Sequence, residues 1–81
     1  MSTAVSQEQI EQVVVESLES FGAEAAQITP AATLEQLDID SLDLAELSQI
    51  VQERFGVELK GSDVAEVKTV GDAIRLIADR A

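Results

Sequence analysis

Leu34-Glu35-Gln36-Leu37-Asp38-Ile39-Asp40-Ser41-Leu42-Asp43-Leu44-Ala45-Glu46-Leu47 is the stretch on which the reading of this chain turns. Its first half is irregular, with Leu34, Leu37 and Ile39 as apolar points in a polar run. Its second half takes up helical spacing. Asp40 suits an N-cap, because a short side-chain oxygen there accepts from the free backbone N–H groups of the first turn. Asp43 in that turn suits the positive end of the helix dipole. A helix is therefore expected from about Ser41 to Phe55, closed by Gly56. At about 100° per residue, Leu44, Leu47, Val51 and Phe55 fall in one narrow sector, the core face. Leu42, Glu46, Gln49 and Glu53 lie opposite. Leu42 is thus an apolar side chain on an acidic, solvent-facing stripe, beside a serine at the helix start.

Upstream, Ser6 and Gln9 form a capping box. Ile10, Val13, Val14 and Leu18 follow at helical spacing, so a first helix runs to about Ser20, with Gly22 as its stop. Residues 1–5 read as a flexible N-terminal tail and 6–81 as one domain. Between Phe21 and Asp40 lies a long loop pinned by Ile28, Leu34, Leu37 and Ile39, with one short turn near Leu34–Leu37. A connection that long in a small domain is uncommon and is often functional. Downstream, a short element is expected from Ser62 or Asp63 to about Val67. A last helix starts at Thr69, with Asp72 completing a capping box and Val70, Ala73, Ile74 and Ile77 as its apolar stripe. The fold class is all-α: a small four-helix bundle with three main helices, one short helix and a long loop between helices 1 and 2.

Composition narrows the function. The 81 residues include no Cys, His, Trp or Tyr. That removes thiol nucleophiles, thiolate metal sites, the commonest general base and the usual base-stacking platforms. The net charge is −11, from 16 acidic and 5 basic residues. Nucleic acids and anionic membranes are bound through cations, so neither is expected as a partner. The apolar runs are far too short for a transmembrane helix or a signal-peptide core, and a cytoplasmic location is expected. Residues 1–53 carry 11 of the acids and no Lys or Arg; residues 54–81 balance 5 acids against 5 bases. This asymmetry is either a surface that steers basic partners or a solvated face that aids solubility. Asp38, Asp40 and Asp43 superficially resemble a calcium loop. An EF-hand, however, would want an oxygen ligand at Leu42, Gly at Asp43 and Glu at Gln49, so no metal site is assigned.

Ser41 reads two ways from its residue type alone. It is a helix-start serine with a capping role, or a hydroxyl placed where a phosphate ester is tolerated by free N–H groups and the dipole. Asp38, Asp40 and Asp43 would discourage such a phosphate from folding back, which favours a mobile arm.

The stretch 34–47 closely resembles the phosphopantetheine attachment motif of acyl carrier proteins: Leu-x-x-Leu, then Asp-Ser-Leu, then a Glu-Leu pair one turn on. Phe55-Gly56-Val57-Glu58-Leu59 and Thr69-Val70-Gly71-Asp72 resemble the family's later segments, so the resemblance runs from about Ser6 to Ala78. It implies that residues 6–81 are an acyl carrier domain and that Ser41 carries 4'-phosphopantetheine delivered from coenzyme A by a phosphopantetheinyl transferase. It further implies a non-catalytic carrier, monomeric, serving acyltransferases, ketosynthases and other synthase enzymes with basic faces in fatty-acid or polyketide biosynthesis. Asp40, Leu42, Asp43, Glu46 and Glu53 are the candidate recognition residues. The start at Met1 and the short tails fit a discrete protein. One departure concerns Asp38, where many relatives have glycine. Two alternatives remain beside this reading. One is an unmodified acidic adaptor. The other is a carrier of amino acids or peptides, which the Asp38-Ile39-Asp40 run disfavours because such domains usually have glycine-rich residues there.

Overall fold

The computed structural model describes residues 6–81; the tail expected at 1–5 lies outside the described residues. The helices are α1 (Gln7–Ser20), α2 (Ser41–Phe55), α3 (Gly61–Ala65) and α4 (Val70–Arg80), with a 3₁₀ turn at Ala25–Gln27. The bundle expected from the sequence is thus present. Among the described residues the only β pairing is an isolated bridge between Thr33 and Thr69.

Reciprocal side-chain caps start the three long helices. Ser6 and Gln9 close the start of α1, Asp40 and Asp43 that of α2, and Thr69 and Asp72 that of α4. Each box satisfies backbone N–H groups that the helix itself leaves unpaired. At the far end of α1, Gly22 takes φ 110°; its N–H donates to the Glu19 carbonyl and that of Ala23 to the Leu18 carbonyl. This six-to-one and five-to-two pairing is a Schellman motif, and it needs the left-handed residue that glycine supplies.

The core is aliphatic. Ile10, Val14 and Leu18 from α1 meet Leu47 and Val51 from α2, and Val70, Ile74 and Ile77 from α4. Full burial of one such side chain contributes about 1.5–3 kcal/mol. The single buried polar residue among those described, Ser17, donates its hydroxyl to the Val13 carbonyl at 2.7 Å.

The loop between α1 and α2 is anchored at both ends. Leu34, Leu37 and Ile39 are buried as expected, while Ile28 is only half-buried. Three backbone bonds stitch the loop to the start of α4: Leu34 N–H to the Lys68 carbonyl at 2.9 Å, Val70 N–H to that of Ala32 at 3.0 Å, and Gly71 N–H to that of Pro30 at 3.0 Å. The expected turn at Leu34–Leu37 is a single capped turn. Thr33 and Gln36 cap it reciprocally, and Asp38 ends it in the left-handed region at φ 59°. Ile39 N–H donates to the Leu34 carbonyl and Asp38 N–H to that of Glu35, the same motif that Gly22 closes.

Two features differ from the sequence expectation. α3 spans Gly61–Ala65 rather than running from Ser62 or Asp63 to Val67. Asp63 is its third residue, not its cap, and reaches back to accept from the Lys60 N–H at 3.1 Å. The 3₁₀ turn at Ala25–Gln27 was not expected, and no side chain caps it.

Candidate functional site

Burial of Ile39 directs the chain into the N-cap at Asp40, and Ser41 follows as the first residue of α2. The cap itself is made by its neighbours. Asp43 N–H donates to Asp40 Oδ1 at 2.9 Å, and Asp40 N–H donates to Asp43 Oδ2 at 3.3 Å. Ser41 is therefore not the capping residue, and its side chain is exposed at the positive end of the helix. Of the two readings its residue type allowed, the capping role falls to Asp40.

The recognition candidates separate into two groups. Leu42 is 78% exposed and is the one large hydrophobic so exposed among the described residues. Glu46 and Glu53 are exposed along the same stripe of α2. Asp40 is exposed but commits one oxygen to the cap. Asp43 is half-buried and serves the cap as well.

On its other side Ser41 lies at the edge of an open cleft of about 560 Å³ between α2 and the α3 region. Ser41, Ala45, Ser48 and Gln52 line its α2 side; Leu59, Val64 and Val67 form the facing apolar side. The cleft shares Leu44, Ser48, Leu59, Val64 and Val67 with an inner space that reaches Leu47, Ala73, Leu76 and Ile77. That inner space measures about 10 Å³, at the lower limit for one water molecule, so it has no room for anything larger.

The cleft was not singled out in the sequence, although its signal was present. Ser48 falls about 40° from Leu44 on the helix wheel, inside the core-facing sector. A polar residue there marks a place where core packing is incomplete. In the structure its hydroxyl donates to the Leu44 carbonyl at 3.0 Å, which leaves it half-buried at the seam.

On the outer side of α3, Asp63 pairs with Arg80 from the last turn of α4. Nη2 donates to Oδ1 at 2.8 Å and Nη1 to Oδ2 at 3.1 Å. The Arg80 hydrogen bonds, helped by the Lys60 N–H, hold the Asp63 carboxyl below its usual value near 3.8. The Asp72 carboxyl is likewise lowered, chiefly by the Thr69 and Lys68 N–H groups.

The family model for the phosphopantetheine attachment site matches residues 8–77. An acyl carrier protein of Solidesulfovibrio magneticus is 38% identical over 71 residues, covering 86% of this chain and 87% of its own length. The structure of the acyl carrier protein from Enterococcus faecalis superimposes with a TM-score of 0.80 at 25% identity, covering 95% of this chain and 100% of that one. The acetyl actinorhodin acyl carrier protein of Streptomyces coelicolor does so with a TM-score of 0.72 at 25% identity, covering 99% of this chain and 94% of that one.

Proposed function

This chain belongs to the acyl carrier protein family, a family of phosphopantetheine-bearing carriers, and on that premise we propose that Ser41 is the residue that bears the arm. The observation that carries the assignment is the division of labour at the start of α2. Asp40 and Asp43 close the helix, and the hydroxyl between them stays exposed at the edge of the cleft.

The residues present fit the group. When bound, phosphopantetheine supplies a terminal thiol for thioester formation, which this cysteine-free chain lacks. Ser41 contributes the oxygen of the phosphate ester. The free N–H groups of α2 and its dipole stabilise negative charge at that position. Asp38, Asp40 and Asp43 act in the opposite sense and keep the phosphate directed outward. No histidine stands by to take the Ser41 proton, so the transferase provides that base. The chain takes part as a cosubstrate of partner enzymes and contributes no catalytic group.

Partners of fatty-acid or polyketide biosynthesis, the transferase, acyltransferases and ketosynthases among them, dock on the exposed stripe of α2. Leu42 supplies the apolar contact, and Glu46, Glu53 and Asp40 the charge. Asp43 contributes to that surface chiefly by fixing the cap. The cleft beside Ser41 receives the carried chain, entering the inner space only when its walls separate.

Incubation with coenzyme A and a broad-specificity transferase, then with an acyl donor, tests the function. Intact mass is expected to rise by one phosphopantetheine and then by one acyl group that hydroxylamine removes. A chain that takes up neither, beside a control carrier that takes up both and after trial of a cognate transferase, would favour the unmodified adaptor.

A further inference from the structure

α3 is the least anchored wall of the cleft. It has five residues, none of them buried, and Val64 is only half-buried. Yet Leu59, Val64 and Val67 line both the cleft and the inner space, so they stand where the two meet. What holds this segment from outside is the Asp63–Arg80 pair, the one ion pair among the described residues. It is bidentate, and it joins positions 17 apart in sequence. From the third position of α3 Asp63 also accepts from the Lys60 N–H, so one carboxylate both secures the helix start and ties it to α4. Arg80 follows Leu76 and Ile77 by one turn, and those two residues line the α4 side of the inner space. The strap therefore spans the two elements whose separation would enlarge that space.

We infer that Arg80 is a positioning residue: through Asp63 it holds α3 against α4 and so limits how far the inner space opens to a carried chain. The consequence for cargo rests on the reading of the cleft given above, but the strap itself acts in the unmodified protein. The other charged groups along the α3–α4 groove are Glu66, Asp72, Arg75 and Asp79. Asp72 is engaged in the cap of α4. None of these four forms an ion pair with a described residue. An exposed pair of good geometry shifts a local equilibrium by up to about fivefold.

The absence of cysteine allows a direct test on the full, unmodified chain. Ala73→Cys places a thiol on the α4 wall of the inner space, and Val51→Cys places one in the core outside it. Labelling by a small thiol reagent is compared with Arg80 intact and in Arg80→Gln. We expect labelling at position 73 to rise about threefold to fivefold in Arg80→Gln and labelling at position 51 to stay within experimental error. Arg80→Lys should restore part of the protection, and Glu66→Gln should change neither rate. An unchanged rate at position 73, or an equal rise at both positions, would overturn the inference. Leu47→Cys, buried on the α2 side of the same space, is the second reporter if Ala73→Cys does not fold. Because the arm is not involved, failure here leaves Ser41 untouched, and failure at Ser41 leaves the strap untouched.

Discussion

Asp38 shows how one residue's backbone bears on the site. Its φ of 59° is the single positive value outside glycine among the described residues. Asp tolerates this region better than most side chains, but glycine adopts it with least strain. Asp38→Gly is expected to stabilise the protein by about 0.5–1 kcal/mol, raising Tm by a few degrees in a thermal melt. A fall in Tm would mean that the carboxylate contributes more than the strain removes. The sequence set this position apart as one where many relatives have glycine. It also marked Ser41, Leu42, Glu46 and Glu53, all of which the structure leaves exposed. It did not show that Asp43 would be half-buried in the cap, because a first-turn carboxylate reads the same whether it faces solvent or its own backbone.

Helix starts were legible because their signals are local. Ser6 with Gln9, Asp40 with Asp43, and Thr69 with Asp72 each satisfy their own backbone within one turn. α3 was misplaced because Asp63 looks like a cap but acts from the third position. The stitch between the loop and α4 was hidden because tertiary docking, not local propensity, makes it, whereas the 3₁₀ turn rests on local backbone bonds with no capping side chain to announce it. That stitch yields a test. A Cβ on Gly71 would lie 3.0 Å from the Pro30 carbonyl oxygen, which also accepts the Gly71 N–H. Alanine normally stabilises a helix by about 1 kcal/mol relative to glycine. Here the contact is with backbone already fixed by a hydrogen bond. Gly71→Ala is expected to lose on the order of 1 kcal/mol, read as a lower midpoint in urea. A higher midpoint would show that the loop yields and is not a rigid lead-in to Ser41.

Over the molecule as a whole, charge decides both association and acid response. All of the net charge of −11 arises from residues 1–53, which include the α2 stripe and lack any base. Transferase association is therefore expected to slow several-fold between low salt and about 0.5 M, as the Debye length falls below 10 Å. A rate indifferent to salt would contradict docking by charge. Acid stability follows the two lowered carboxyls, of which Asp72 is the one not held in an ion pair. Its folded carboxyl is lowered and its unfolded one sits near 3.8, so its contribution is present above that value and is lost as pH falls through the folded one. Asp72→Asn should be less stable than the parent at pH 7, with the gap closing below about pH 4. A gap that persists in acid would show that the amide fails for reasons of shape. The chain has no histidine to titrate between about pH 5 and 8, so no further stability change is expected from a side chain of that type.

The central claim is that the carrier's arm sits on Ser41, and locating the added mass tests it most directly. The parent and Ser41→Ala are each incubated with coenzyme A and the transferase, then digested and fragmented. The account predicts one phosphopantetheine in the parent, on the fragment that holds Ser41 and on that residue alone, and none in Ser41→Ala despite an unchanged helical fold. Uptake by folded Ser41→Ala, or a group found on Ser48 or Ser62 in the parent, would contradict it.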